Sequence, residues 1–411
     1  MTWRTRLGEQ PEALTEAPEG VEVGPHPTRL QEAAVLAIGT VAVLVIGVFP
    51  LLLGGLAEEH RLSAAGIGQA ATLELLTLGL AAGAAGAWFK TERLKLIGIA
   101  AGVVLAGVDF SMFAASGATV MLLRAIAGAA EGVLLWITIG MIARQALPER
   151  MAGIFFAVQT AGQFLLAVLM AAAPHLGADG GYAILGLTGL AAAALTVLIP
   201  ARYAPLPRSE GGSGMPPLRG WIALIATVIW VAGGMAVGVY VEPLAHQAHL
   251  SDAVAGFAVS SSLAFQIVGS STATLIAGRL RWLAMFFICA GGEALSWLAL
   301  GIEPGTALFV AAVSGTGFFG LMALPFLVPM TIETDASRRT AMLSGGAQLV
   351  GSALGPFMIS FVVSDTEARA CLVYAAACTA VALGVMGWLH AAGRRHAGVM
   401  PAVAPNPPRP P

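Results

Sequence analysis

Long apolar runs alternate with short polar breaks along the chain, and the runs share one length. Twelve stretches, near residues 32–53, 65–87, 94–115, 119–142, 152–172, 180–200, 219–242, 253–277, 282–302, 306–330, 340–363 and 368–392, are dense in Ala, Leu, Gly and Val without period-two alternation. A bilayer's hydrocarbon core is about 30 Å thick and a helix rises about 1.5 Å per residue, so one crossing takes roughly 20 apolar residues. The pattern predicts an all-α integral membrane protein of twelve transmembrane helices. The missing alternation argues against a β-barrel.

Composition agrees. Charged residues make up 11% of the 411 positions and apolar ones 57%, whereas a soluble domain carries charge on about a quarter of its residues. The 51 glycines suit close helix approach in a membrane, as at Gly79 and Gly83 or Gly351 and Gly355. Cys289, Cys371 and Cys378 fall inside the runs without metal-ligand spacing, so neither a disulfide framework nor a zinc site is expected. The polar, acidic, Pro-containing first 31 residues lack the apolar core of a signal peptide, leaving the first run to direct insertion. No Walker loop, GxSxG elbow or HExxH helix occurs, so ATP-driven pumping and hydrolysis have no support. The chain is read as a non-enzyme with no cofactor and no nucleic-acid partner.

Assigning alternate loops to opposite sides puts Lys90, Arg93, Lys95, Arg144, Arg150, Arg202, Arg279, Arg281, Arg338 and Arg339 together, with only Arg61 and Arg369 opposite. Positive residues are retained in the cytoplasm, so both termini are expected there, in a cell (inner) membrane. Residues 201–218, with Pro205, Pro207, Gly211, Gly212, Pro216 and Pro217, have linker composition. The expected organisation is a disordered cytoplasmic tail 1–31, a six-helix half 32–200, a cytoplasmic linker 201–218, a second half 219–392 and a Pro-rich cytoplasmic tail 393–411. The halves echo each other: Arg150, Ala152, Gln159 and Gly162 recur 189 positions later as Arg339, Ala341, Gln348 and Gly351. Leu62, Ser63 and Gly68 recur 188 positions later as Leu250, Ser251 and Gly256. Such duplication places solute sites between the repeats, near mid-membrane.

Six plus six helices, parallel halves and a central linker resemble the major facilitator superfamily over roughly residues 30–393. Arg124, Gly128 and Gly132 in span four, with Glu131 beside the last, match an Arg followed by glycines at four and eight residues that the family often carries there. Gly86 to Lys95 is similar to the family's basic loop between spans two and three, where Glu92 and Arg93 stand in for its acid and base as a gate. The resemblance implies a bundle of two pseudo-symmetric halves and transport of a small solute.

Ionisable side chains in hydrocarbon cost several kcal/mol unless paired or facing water, which singles out Glu74, Asp109, Arg124, Glu131 and Glu293. Asp109 and Arg124 sit at equal distances from the turn near Ser116, so antiparallel packing would pair them; Arg124 is then either a helix clamp or a solute ligand. Glu74 and Glu131 fall near mid-span, where desolvation works against a charged carboxyl, and are candidates for proton coupling. Glu293 lies in span nine, peripheral in the family, and is read as packing. Candidate solute contacts are Arg124, Glu131, Trp136, Gln159, Trp230, Tyr240, Phe265 and Gln348. Glu242, with His246 and His249 nearby, is read as a gate in preference to a metal site. The expected function is secondary active transport by alternating access, proton-coupled as symport or antiport, in a monomer whose partners are solute, protons and lipid. A uniporter, a receptor or a lipid-handling protein of the same fold are the alternatives.

Overall fold

Helices follow one another in the order of the apolar runs. The structure, a computed structural model, describes residues 23–173, 176–207, 215–302, 304–361, 363 and 368–397. The first half holds α1 (Arg29–Val41), α2 (Phe49–Glu58), α3 (Ala64–Trp88), α4 (Leu94–Phe110), α5 (Ala118–Ile142), α6 (Pro148–Ala172) and α7 (Gly177–Leu195). The second holds α8 (Leu218–Val239), α9 (Val241–Gln247), α10 (Asp252–Ile276), α11 (Trp282–Gly301), α12 (Thr306–Ala323), α13 (Leu327–Thr334), α14 (Arg339–Ile359) and α15 (Ala370–Ala397). Ten helical stretches are long and apolar enough to cross a membrane. The other two crossings are α4, of 17 residues, and the first run, which is divided.

That division departs from the expected single helix over 32–53. After α1, a 3₁₀ segment covers Leu44–Val48 before α2 begins. A break in hydrocarbon needs its freed carbonyls satisfied, and Gln163 Nε2 donates to Val43 O at 2.7 Å. The tenth run also divides, between α12 and α13, at a 3₁₀ turn Leu324–Phe326 where Pro325 has no N–H to give. The seventh divides at Tyr240, between α8 and α9.

Two tail boundaries move. Val23 N–H bonds Arg144 O at 3.0 Å and α1 starts behind a Thr28–Gln31 capping box, so residues 23–31 are no disordered tail. Helix α15 runs five residues beyond 392. Residues 1–22, the linker segment 208–214 and residues 398–411, on which the remaining tail and linker expectations fall, lie outside the described residues.

The halves repeat each other down to a single turn. His60 and His249 are both left-handed, at φ 57° and 56°, a conformation uncommon for any residue but glycine. The flanking bonds match: His60 N to Ala57 O and Arg61 N to Leu56 O in one half, His249 N to His246 O and Leu250 N to Ala245 O in the other. A helix of 25 residues follows each, α3 after Ser63 and α10 after Ser251.

Loop-to-loop bonds sort the turns to two ends. At one, Leu94 N bonds Ala201 O, Arg144 Nε bonds Ala204 O and Arg338 Nη1 bonds Ala143 O; this end is the basic one. At the other, Arg61 bonds Ala115 O, Glu59 and Asp179. Across the halves α3 packs on α14 and α6 on α10. The contact is close because a Cβ at Gly346 would stand 2.6 Å from Gly79 O, and one at Gly86 2.9 Å from Met342 O. Leu134 and Trp136 of the first half share one buried core with Val328, Ile332 and Leu349 of the second.

Candidate functional site

A cavity of about 200 Å³ lies between the halves, walled by Ile46 at the break in the first run, Phe156, Gln159 and Gln163 of α6, Met235 of α8 and Gln348 of α14. Among the described residues, no Asp, Glu, Lys or Arg lines it. Gln159 and Gln348 reach it from repeat-related helices, and among the described residues their side-chain amides bond no protein group. Gln163, Ser344 and Ser352 also line it. They were legible in principle, since each sits one helical turn from Gln159 or Gln348 on the same face.

The charged side chains lie elsewhere, inside the first half. Arg124 Nη1 is 3.0 Å from Glu74 Oε1 and its Nη2 is 2.5 Å from Asp109 Oδ1, all three side chains being at most 2% exposed. The guanidinium stands 4.8 Å over the Tyr182 ring. Glycines build this contact: a Cβ at Gly128 would meet Glu74 O at 2.3 Å and one at Gly132 would meet Leu78 O at 2.3 Å, so the backbone of α3 presses on α5. Glu131, two turns beyond Arg124, is buried, and its Oε2 and that of Glu74 bond nothing among the described residues.

This cluster does not line the central cavity, contrary to the expectation that Arg124 and Glu131 contact solute. Leu75, the chain neighbour of Glu74, and Leu135, one turn beyond Glu131 on the same face of α5, form the wall instead. About 100° of helical rotation per residue turns Glu74 away from the face that Leu75 presents. Arg124 is held by two carboxylates and has little left to offer a solute.

Other expected contacts also move. Trp136 is 1% exposed, packs edge-on against Phe89 at 5.7 Å and is absent from the cavity wall. Tyr240 sits at the α8–α9 turn and Phe265 is 45% exposed; neither lines the cavity. Trp230 packs against Phe286 at 4.9 Å and faces a separate cavity in the second half. Glu92 and Arg93 are exposed in a short 3₁₀ turn and make no ion pair with each other. Glu242 is exposed at the start of α9.

The bonds that join the halves at the basic end come from residues not anticipated. Arg338, left-handed at φ 60°, donates through Nη1 to Ala143 O at 2.8 Å and Gln145 O at 3.2 Å, capping the end of α5. Glu149 Oε1 accepts from Gly278 N at 3.1 Å, just past α10. Asp335 accepts from Ser337 N and Thr340 N at 3.0 and 2.9 Å and so shapes the turn that presents Arg338. Arg144 donates to Gly140 O at 2.7 Å and stacks 5.1 Å from the Tyr203 ring. Burial pushes its guanidinium down to about 10, which leaves it charged at neutral pH. A larger cleft of about 770 Å³ opens at this end beside Arg219, Arg279, Arg281 and Arg338. It lies at the loops, away from mid-bundle, so the smaller cavity is the better placed for a solute in transit.

No protein-family model matches the sequence, and no curated protein matches it. Solved structures do. The human organic anion transporter MFSD10 (TETRAN) superposes with a TM-score of 0.71 at 13% identity, covering 88% of this chain and 100% of that one. The transporter FucP in its outward conformation gives 0.69 at 13% identity, covering 87% and 98%. The proton:xylose symporter XylE bound to 6-bromo-6-deoxy-D-glucose gives 0.67 at 13% identity, covering 87% and 95%. The chain therefore has the major facilitator fold, with most of its length inside the match.

Proposed function

We propose that the chain is a secondary transporter, moving a small organic solute by alternating access through the cavity between its halves, with the Glu74–Asp109–Arg124–Glu131 cluster holding the coupling proton. The observation that carries the reading is the cavity itself, a mid-bundle space bordered by both repeats and furnished with the Gln159 and Gln348 amides. Repeat-built folds bind solute at this place and expose it to either side by rocking one half on the other. On this reading the cross-half bonds of Arg338 and Glu149 hold the halves together at the basic end, the end expected to face the cytoplasm.

Charge balance supports a proton within the cluster. One guanidinium faces three carboxyls, so with all three ionised the group would carry two net negative charges in hydrocarbon, and neutrality calls for bound protons. Glu131, without a basic partner of its own, is the group best placed to exchange one. Glu131→Gln in proteoliposomes should keep solute counterflow and lose accumulation driven by an imposed pH gradient. Gradient-driven accumulation equal to wild type in this variant would remove the coupling, and absence of counterflow from the wild type for every solute class would remove the transporter.

A further inference from the structure

Among the described residues, one Asp, Glu, Lys or Arg of the second half lies in the middle of a helix. Glu293, in the middle of α11, is 2% exposed, and among the described residues nothing hydrogen-bonds or pairs with its carboxyl. The Lys and Arg residues of this half, Arg219, Arg279, Arg281, Arg338, Arg339, Arg369, Arg394 and Arg395, all lie in loops or at helix ends. The packing role read from the sequence leaves such a group uncompensated, because a buried carboxylate is retained where a partner or a ligand supplies the opposite charge.

The surroundings are those of a site. Glu293 lines a cavity of about 140 Å³ together with Trp230, Ser262, Gln266 and Thr316. Gly234 and Gly320 border the same space, and a Cβ at either would stand at ordinary van der Waals distance, 4.0 or 3.4 Å, from Glu293 Oε1. Val231, Met235, Leu321 and Leu324 line this cavity and the central one alike, so the two adjoin. Neither alone reaches the ~300–1,000 Å³ of an ordinary ligand site, so a drug-sized solute would have to occupy both.

We infer that Glu293 is the charge-recognition subsite for a cationic amine, and that the solute class is a small amphiphile whose apolar body occupies the central cavity while its ammonium reaches Glu293 beside Trp230. This rests on the proposed transport role and names its substrate class. The carboxyl supplies the missing countercharge, the indole face at the cavity wall attracts a cation, and the Gln266, Ser262 and Thr316 oxygens accept the remaining ammonium hydrogens. The central cavity itself holds no charged group, so it selects for an apolar body and against a charged one.

Three probes with one apolar body and different heads test this: 4-phenylbutylamine, 4-phenylbutanol and 4-phenylbutyrate, bound to the purified full chain and followed by calorimetry. The amine should bind at least tenfold tighter than either of the others. Glu293→Gln should abolish that preference, while Glu293→Asp, which keeps the charge, retains most of it. An amine that binds no better than the alcohol, including no binding at all, overturns the proposal, as does an unchanged preference in Glu293→Gln. If Glu293→Gln is not recovered as folded protein, the ranking of the three heads on wild type decides. Counterflow of the amine separates this proposal from the one beneath it. Glu293-dependent binding without counterflow removes transport and keeps the subsite, whereas counterflow indifferent to Glu293 removes the subsite and keeps transport.

Discussion

The two halves share a backbone plan and treat buried charge in opposite ways. In the first, Arg124 satisfies Glu74 and Asp109 at 3.0 and 2.5 Å behind a wall of leucines that separates them from the cavity. In the second, Glu293 has no partner among the described residues and lines a space that shares Val231, Met235, Leu321 and Leu324 with the wall of the central cavity. Duplication accounts for the helices, the left-handed His60 and His249 turns and the paired glutamines. It does not account for the charges, which have diverged: one half sets a guanidinium among its buried carboxyls, and the other buries a carboxyl with no cation beside it among the described residues.

The strongest way to break this contrast is to remove the central cation. Arg124→Leu leaves two carboxyls buried without a partner, a defect worth about 3–5 kcal/mol. Little folded protein should survive, and thermal unfolding followed by tryptophan fluorescence should move far below wild type. Glu293→Gln removes a group with no protein partner, so its effect on stability should stay within about 1 kcal/mol. Equal losses in the two variants would mean that Glu293 is as much a structural element as the Arg124 cluster.

Next in size is the closure at the basic end. Arg338 and Glu149 each bring a charged group to backbone partners of the opposite half, and such bonds are worth about 1.5–3 kcal/mol apiece. Arg338→Ala should therefore shift the balance between closed and open states at this end by about tenfold or more. Labelling of a cysteine placed at Gln348 by a membrane-impermeant reagent, applied from each side, reads that shift. Between pH 6 and 8 the closure should not change on account of Arg144, because a guanidinium pushed down only to about 10 stays protonated throughout. A strong pH dependence that survives Glu131→Gln would locate the proton switch in the loops.

A smaller effect sharpens the account of the first half. Gly132→Val would press its side chain onto Leu78 O, which a Cβ already meets at 2.3 Å, and overpacking of this kind costs about 1–3 kcal/mol. The helices α3 and α5 should part slightly and weaken the Glu74–Arg124 bond, lowering coupled transport more than counterflow. A variant with wild-type coupling would show that the cluster tolerates a looser frame.

The sequence carried the crossings because lipid thickness dictates the length of every apolar run. The Asp109–Arg124 juxtaposition was legible too, since equal distance from a tight turn fixes equal depth. Rotation about each helix was not legible. In a membrane both lipid-facing and core-facing residues are apolar, so nothing in the pattern tells Phe265, which is exposed, from Trp230, which is buried. The break at Leu44–Val48 is likewise invisible, because residues 42–49 are all apolar or glycine and the stabilising Gln163 comes from α6. The reading of Glu293 as packing followed from a span that is peripheral in the family; the cavity it lines is built by Trp230, Ser262, Gln266 and Thr316 of neighbouring helices, which the pattern along one helix does not show.

Two glutamines one turn apart offer the finest test. Gln163 donates to Val43 O and supports the break in the first run, so Gln163→Leu leaves a carbonyl unpaired in hydrocarbon and should lower stability while disturbing transport indirectly. Gln159 bonds no described protein group and faces the cavity, so Gln159→Leu should leave the unfolding temperature unchanged. Its effect should appear in solute binding alone, as the loss of one hydrogen bond worth about 1 kcal/mol, or roughly fivefold in half-saturating concentration. Gln348→Leu, the repeat-related change in α14, should do the same from the opposite wall. If the two substitutions act on one solute group, their combined effect falls short of the product of the single effects, whereas independent contacts multiply. An unchanged half-saturating concentration in both single variants would mean that the solute takes its hydrogen bonds elsewhere in the cavity, leaving Ser344 and Ser352 as the polar groups that remain on that wall.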